Sequence, residues 1–204
     1  MTPLLDSMNK TARRRLLDDL NYLNMGEIKK FCDKHSIPYK IRIQGSDGEL
    51  KGTPDHDRKG VILERIRHYL STGTVPSATV FPMSVVNFDP PPSKLKPNDK
   101  LYYGQYDKNS RGMIDLLKQL TGGRFKNGAV ARIIAREFWS KGKAPTYSEF
   151  ASAWLQATGN HKRPNPEWAF LSDLAEKKDV SGWKQKRIEK ARRVLQILAR
   201  LDPK

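Results

Sequence analysis

The chain has 204 residues, and its 38 lysines and arginines outnumber its 22 aspartates and glutamates to give a formal net charge of +16. That length suits one or two ordinary domains. The 37% hydrophobic content, with four Trp, seven Tyr and seven Phe, argues against full disorder. No run reaches the ~18 consecutive apolar residues that a membrane-spanning helix needs, so no membrane partner is expected. The basic excess instead predicts a polyanionic partner such as DNA or RNA.

A single cysteine, Cys32, excludes an intrachain disulfide framework and a Cys-x-x-Cys zinc site. It lies in an apolar helical pattern, where a small buried residue is expected. A lone thiol suits a reducing compartment, and the start of the chain lacks the order of cations and apolar residues typical of a secretory signal. The sequence therefore predicts a cytoplasmic protein, associated with the nucleoid if its source is bacterial.

Two helices are predicted at the start of the chain. Leucines at helical spacing mark residues 7–22, and Arg13–Arg15 lie largely off that stripe. Asn24 stands three residues before Glu27, which resembles a capping box and predicts a second helix over residues 25–35. A proline three residues beyond this range disfavours any continuation of the helix.

An extended segment and a third helix follow. Apolar and basic side chains alternate over residues 39–44, and the glycines and polar residues of 45–48 favour a turn, so a small β-hairpin or flap is expected. Residues 51–56 are expected to form a loop. Asp57 is expected to cap a helix that buries its leucines and isoleucines. Its exposed side chains are expected to be Arg58, Arg65 and His68.

The composition changes over residues 71–108. Six prolines fall between Pro76 and Pro97, which excludes a continuous helix. The triple proline at 90–92 favours a stiff, extended chain, so a linker is predicted. Several apolar side chains in this linker are expected to lie against a flanking domain. They are Val80, Phe81, Val85, Val86 and Phe88.

The helical period returns after the linker, and five helices are predicted in the rest of the chain. Thr146 and Glu149 have the spacing of a capping box, and a further helix is predicted to start at Asn165. The longest helix is expected over residues 181–201. Its apolar stripe is expected to be Trp183, Ile188, Ala191, Leu195 and Leu198.

The predicted fold is therefore mostly α, with a small β-hairpin and a C-terminal α-helical bundle. Residues 1–72 are expected to form the first helical module, residues 73–108 the proline-rich linker and residues 109–204 the basic bundle. The net charge is +11 over residues 111–204 and +4 over residues 1–70. The bundle is therefore expected to supply most of the positive field.

Residues 20–70 combine a leading leucine pair, a first helix, an extended loop and a second helix with basic residues at its start. The first part holds Leu20, Leu23, Met25, Glu27, Ile28, Lys29 and Ile37, and the second part holds Arg58, Lys59, Gly60, Leu63, Arg65, Ile66 and Leu70. This pattern resembles a SAP module, a helix–extended loop–helix unit that binds DNA and, in some members, RNA. The chain departs from the family pattern in its inserted hairpin and in His35-Ser36, which replaces the usual glycine. The resemblance implies a SAP-like module that binds nucleic acid.

Arg58 and Lys59 stand at the start of a helix, where the helix dipole disfavours cations and favours a bound phosphate. We therefore interpret them as phosphate ligands of the second SAP-like helix. The alternative is that both are ordinary solvated cations, neutralised by Asp55 and Asp57.

Two further segments hold candidate binding residues. The glycines of residues 121–128, TGGRFKNG, indicate the end of a helix rather than a Walker A loop, since a GK[ST] ending is absent, but Arg124 and Lys126 are candidates for backbone contacts. The last helix carries cations on one face, which predicts contact with phosphates or with an acidic protein. The candidate nucleic-acid-binding residues are Lys29, Lys40, Arg42, Arg58, Lys59, Gly60, Arg65, Arg124, Lys126, Lys186, Lys190 and Arg193.

Composition and motifs together predict a non-catalytic DNA-binding protein that uses two basic helical surfaces to hold the phosphate backbone. RNA binding is one alternative, and docking of an acidic protein partner within a larger nucleoprotein complex is another. No cofactor and no metal are expected, because Asp55-His56-Asp57 are adjacent and lack a second ligand cluster. The four scattered histidines offer no nucleophile–base set, so an enzyme is not expected.

Overall fold

The computed structural model describes residues 5–107, 109–159 and 180–201. Seven α-helices and one three-stranded sheet lie in these ranges, which confirms the mostly α fold. The helices are α1 (Lys10–Asp19), α2 (Met25–Lys34), α3 (Lys59–Thr72), α4 (Arg111–Leu120), α5 (Ala129–Ser140), α6 (Tyr147–Gly159) and α7 (Val180–Leu201). The strands are β1 (Lys40–Gln44), β2 (Leu50–His56) and β3 (Val80–Pro82), and 3-10 turns cover Leu20–Tyr22 and Met83–Val85. The helix predicted to start at Asn165 lies outside the described residues.

Two compact units divide the chain, and each is assembled from separate stretches. Unit 1 holds α1, α2, α3 and α7, and unit 2 holds most of the sheet together with α4, α5 and α6. This division differs from the predicted succession of module, linker and bundle in two places. Residues 79–107 belong to unit 2, and α7 belongs to unit 1.

The core of unit 1 is built from apolar side chains of its four helices. Leu16 on α1, Ile28 on α2 and Ile66 on α3 are essentially fully buried. α7 adds Ala191 and Leu198 to the same cluster. Each buried leucine or isoleucine stabilises the fold by about 1.5–3 kcal/mol relative to an exposed one. This shared core is the reason that α7 packs with the N-terminal helices.

Local sequence signals in unit 1 are largely confirmed. Asn24 Oδ1 accepts a hydrogen bond from Glu27 N at 2.9 Å, and Glu27 Oε2 accepts one from Asn24 N at 2.7 Å, which completes the capping box of α2. Cys32 is fully buried, and this burial raises the pKa of its thiol to about 12. The prediction for Ile188 is wrong, because this residue is 44% exposed and the buried face of α7 passes through Val194 instead.

Two predictions around the hairpin are wrong. The sequence predicts a loop over residues 51–56, but this stretch belongs to β2. β2 lies at one edge of the sheet, whose order is β2-β1-β3, and an edge strand tolerates Pro54. Asp57 does not cap α3, because Arg58 occupies the N-cap position and Asp57 pairs with Arg65.

Unit 2 packs a small sheet against aromatic side chains. β1 pairs in parallel with β3, with Ile43 opposite Phe81. Ile43 faces the core, whereas Arg42 on the opposite face of β1 is exposed. The ring centres of Phe81, Tyr103 and Trp139 lie 5.1–5.9 Å apart at steep angles. Such edge-to-face pairs stabilise a core beyond the area that they bury.

The proline-rich segment is part of the core of unit 2. Phe81, Val85 and Leu101 within it are fully buried, and Trp139 Nε1 donates a hydrogen bond to Leu101 O at 3.0 Å. Phe88, which the sequence predicts to lie against a domain, is 68% exposed. Prolines exclude a helix here, but they leave an extended chain free to bury alternate side chains, and this segment does so.

Local motifs define the ends of α4 and α6. Gly123 N donates to Lys118 O at 2.7 Å and Gly122 has a φ of 59°, so the glycines end α4 in a Schellman cap, as predicted. At the start of α6, Glu149 N donates to Thr146 Oγ1 at 3.1 Å and Thr146 N donates to Glu149 Oε2 at 2.8 Å, which confirms the predicted capping box. Among the described residues, no helix combines the length and the apolar content needed to cross a bilayer.

Candidate nucleic-acid interface

Arg65 lies in the interior of unit 1, which corrects the prediction that it is exposed. The residue is 8% exposed, and its Nη1 donates to Asp57 Oδ2 at 2.7 Å and to Pro38 O at 2.8 Å. Removing one partner of such a buried pair leaves an uncompensated charge in a medium of low polarity. Arg65 therefore ties the chain before and after the hairpin to α3, and it is not placed to contact a phosphate.

Two cations of α3, Lys59 in its first turn and Arg67 in its second half, make contacts within unit 1. Lys59 Nζ donates to Asn21 O, and Arg67 Nη2 donates to Leu17 O and to Asn21 Oδ1 at 3.3 Å each. Carbonyl groups at the end of a helix need such partners. The contact of Lys59 with Asn21 O explains why a lysine stands in the first turn of α3, and this explanation requires no bound ligand. Arg58 is half-buried at the N-cap position.

α7 turns part of its predicted phosphate-binding face toward α1. Lys190 Nζ lies 3.8 Å from Asp19 Oδ1 and 3.8 Å from the centre of the Tyr22 ring. Arg193 donates to the same carboxylate, and Asp19 is only 6% exposed. Lys186, one turn before Lys190, is exposed. Lys190 and Arg193 are therefore already engaged with the protein.

Arg187 anchors α7 to the start of α2, although sequence reasoning did not select it. Its Nη2 donates to Glu27 Oε2, and its Nε donates to Tyr22 O at 3.0 Å. Glu27 thus caps α2 and binds α7 with the same carboxylate oxygen. Arg187 lies one turn before Ala191, which belongs to the buried face of α7. This spacing places Arg187 on the core side of the helix, and it is the sequence signal that indicates an anchoring role.

The remaining candidates from the first third of the chain are dispersed. Lys29 Nζ lies 5.8 Å from the centre of the Tyr39 ring, and Gly60 lies in the first turn of α3. Lys40 and Arg42 are exposed two residues apart on β1, so their side chains share one face of the strand. β1 therefore places the two candidates Lys40 and Arg42 side by side.

The connection between α4 and α5 gathers four cations. We call them the α4–α5 cationic surface, and they are Lys118, Arg124, Lys126 and Arg132. All four are exposed. The Schellman cap turns the chain back after α4, and Arg124 Nε donates to Thr121 O at 3.1 Å. Arg132 N in turn donates to Gly128 O at 3.4 Å, which places Arg132 in the first turn of α5.

The electrostatics of this surface differ from those of unit 1. Within residues 5–107, 109–159 and 180–201, no ion pair joins any of its four cations to a carboxylate. The first turn of α5 contains no acidic residue and has no side-chain cap at Gly128, so the helix dipole adds positive potential. Burial raises the pKa of the neighbouring Tyr106 to about 12, and the charge of Arg132 opposes that rise. An anion at this surface therefore gains attraction without displacing a carboxylate of the described residues.

Sequence reasoning selected Arg124 and Lys126 but missed Lys118 and Arg132. The available signal was their position, because they stand in the last turn of α4 and the first turn of α5, on either side of the glycine-rich turn.

The described part of the chain places no three His, Cys, Asp or Glu side chains together as a metal site. Comparison of the chain with protein-family models, with curated proteins and with solved structures finds no match. The candidate interface is therefore defined by its own residues: exposed cations, a glycine-rich turn and a helix start free of acidic residues.

Proposed function

We propose that this protein binds DNA without catalysing a reaction on it, by holding the sugar–phosphate backbone against the α4–α5 cationic surface. The observation that carries the proposal is the exposure of its four cations without a carboxylate partner among the described residues. The net charge of +16 adds long-range attraction to a polyanion. Backbone contacts position a protein on DNA but carry little sequence information, so the proposed binding has weak sequence preference.

The resemblance of residues 20–70 to a SAP module supports a nucleic-acid partner from a second direction. In that segment, Lys59 and Arg65 contact the protein itself. We therefore assign the secondary contact with DNA to the exposed pair Lys40 and Arg42. Two weak contacts on one chain raise the local concentration of DNA at each, so their combined affinity exceeds that of either alone.

The proposal makes a quantitative statement about salt. Each phosphate that a lysine or arginine neutralises on duplex DNA contributes about −0.9 to the slope of log affinity against log salt concentration. Contacts by all four residues of the α4–α5 cationic surface correspond to a slope of about −3.6. Removing two of them is expected to reduce the magnitude of the slope by about 2.

The test is a fluorescence-anisotropy titration of the full chain with duplex DNA at several salt concentrations. The variant Arg124→Gln/Lys126→Gln removes two cations from the surface. Its control, Lys94→Gln/Lys96→Gln, removes two exposed lysines with the same spacing from another segment of unit 2. We expect the first variant to weaken binding and flatten the salt slope more than the control does. Equal behaviour of the two variants contradicts this site.

Competition experiments distinguish binding of duplex DNA from RNA binding and from docking of a protein partner. Structured RNA and single-stranded DNA are offered against labelled duplex DNA in the same titration. A chain that releases DNA to RNA at equal concentration is an RNA-binding protein. A chain that ignores every polynucleotide at low salt, yet retains a protein partner after nuclease treatment, is a scaffold for that partner, and either result overturns the proposal.

A further inference from the structure

A groove of about 360 Å³ lies between α1 and α7 in unit 1. Arg15 and Leu16 line it from α1, Arg193 and Ile197 line it from α7, and Asp19 lies between them. The groove is separate from the α4–α5 cationic surface, which belongs to unit 2. Its distinctive feature is that arginines from two helices approach one buried carboxylate.

Asp19 gathers three cations around itself. Arg15 Nε lies 4.0 Å from its Oδ2, Lys190 Nζ lies 3.8 Å from its Oδ1, and Arg193 Nη2 donates to its Oδ2. The side chain of Asp19 is 9% exposed, so the carboxylate itself is shielded from solvent. One negative charge against three positive charges leaves a formal excess of two at the groove.

The two arginines keep hydrogen-bond donors for a ligand. A guanidinium group has five N–H donors in a planar fork, and Arg193 donates one of them to Asp19. Among the described residues, Arg15 makes only the long contact of 4.0 Å with Asp19, and its side chain is 67% exposed. The contact with Asp19 holds the Arg193 fork in one orientation, which lowers the entropy lost when a ligand binds. Planar forks on two walls match the oxygens of a phosphoryl group.

We propose that the α1–α7 groove is a second phosphoryl-binding site, which takes one phosphodiester of the bound nucleic acid between Arg15 and Arg193. This inference rests on the proposed function, since it assumes that a nucleic acid is present. Thr11 lines the same wall of α1 and offers a hydroxyl donor. Asn9 has a different role, because its side chain accepts a hydrogen bond from Ala12 N at 2.8 Å and caps α1.

A network that only holds α7 against α1 would use these residues differently. It would depend on Lys190 and Arg193, which contact Asp19 more closely, and it would not need the exposed Arg15. Arg15 is therefore the residue that separates a binding site from a purely structural contact. Its substitution leaves the closer ion pairs of Asp19 with Lys190 and Arg193 in place, so we expect the variant to fold.

The experiment compares Arg15→Gln with Arg14→Gln in the full chain. The two substitutions remove the same charge from adjacent positions of α1, and Arg14 is exposed outside the groove. We expect Arg15→Gln to weaken binding of duplex DNA about tenfold, the scale of one charge-assisted hydrogen bond. We expect Arg14→Gln to weaken it less than about threefold, as for a cation in the general field. Thermal unfolding of both variants checks that the fold is unchanged.

Inorganic phosphate distinguishes the source of the phosphoryl group. Amide chemical shifts of the wild-type chain are followed during titration with phosphate and, separately, with a short duplex. Shifts at Thr11 and Leu16 with the duplex support a phosphodiester ligand. Shifts there with phosphate alone, without an Arg15 effect on DNA affinity, mean that the groove takes a free anion and overturn the phosphodiester assignment.

Failure of this inference and failure of the proposed function are distinguishable. Equal losses for Arg14→Gln and Arg15→Gln, with no shifts at Thr11, overturn the groove as a site even when the wild-type chain binds DNA. The α4–α5 cationic surface is judged by Arg124→Gln/Lys126→Gln against its own control, in the other unit. A chain that binds no DNA overturns the proposed function and the phosphodiester assignment together.

Discussion

Several cations of unit 1 pair with carboxylates, whereas the α4–α5 cationic surface of unit 2 is exposed. In unit 1, Arg65 is buried against Asp57, and Arg187 and Arg193 of α7 bind carboxylates of the N-terminal helices. In unit 2, the four residues of the α4–α5 cationic surface face solvent without such partners among the described residues. A count of lysines and arginines treats these groups alike, but their free energies differ, because a buried pair such as Arg65 and Asp57 must separate before the cation can meet a phosphate.

The comparison shows that, in one basic chain, buried cations contribute to stability and exposed cations are available for binding. A buried ion pair that loses one partner leaves a charge that the protein interior cannot solvate. An exposed cation is already solvated, so its removal changes little except the potential that a ligand meets. Substitutions of buried, paired cations should therefore destabilise the fold, whereas substitutions of exposed cations should weaken binding of polyanions.

The largest effect is expected from Arg65→Ala. It leaves Asp57 buried without its partner, which should lower the free energy of unfolding by about 3–5 kcal/mol. Urea denaturation measures this loss. The rate of alkylation of Cys32 provides a second readout, because burial raises the pKa of this thiol to about 12 and only opening of unit 1 exposes it. A chain of unchanged stability would show that the buried pair is not structural.

Arg187→Ala should have the next largest effect. The substitution removes a half-buried contact with Glu27 and with Tyr22 O, and hydrogen bonds to charged groups contribute about 1.5–3 kcal/mol. Arg192→Ala is the matched control, because Arg192 is exposed on the same helix. Thermal unfolding should separate the two variants by several degrees. Identical midpoints would mean that α7 is held by its apolar face alone.

A smaller effect is expected from Glu149→Gln in unit 2. The hydrogen bond from Lys143, followed by that from Thr146 N, lowers the pKa of the Glu149 carboxyl below its ordinary value of 4.5. The stabilisation from this group is therefore present above pH 4.5 and is lost as pH falls through the lowered pKa. The stability difference between wild type and variant should shrink with acidification. A difference that persists unchanged at low pH would contradict an ionic origin.

The smallest effect on stability is expected from Arg124→Gln/Lys126→Gln. Because both residues are exposed and lack carboxylate partners among the described residues, the free energy of unfolding should change by no more than about 0.5 kcal/mol. Urea denaturation of this variant and of Lys94→Gln/Lys96→Gln should give the same midpoint. A clear loss of stability would show that the α4–α5 cationic surface contributes to the fold, which would end the contrast with unit 1.

Some predictions succeeded because the predicted structure depends on only a few neighbouring residues. The Asn24 and Glu27 box, the glycine stop after α4 and the burial of Cys32 follow from side chains within one or two helical turns. The candidate site was found only in part, through Arg124 and Lys126. Their neighbours in the flanking helical turns belong to the same surface, but periodicity alone does not distinguish a solvated cation from one at an interface.

By itself, the sequence determined the described helices, the caps of α2, α4 and α6 and the excess of positive charge, since capping and periodicity act over three to four residues along the chain. Only the tertiary structure decided which cations are available to a ligand. Arg193 meets Asp19 across 174 positions of sequence, and Arg65 meets Pro38 across 27. No local pattern encodes such distances, because the partner of a charge is chosen by the packing of the apolar faces that bring the two helices together.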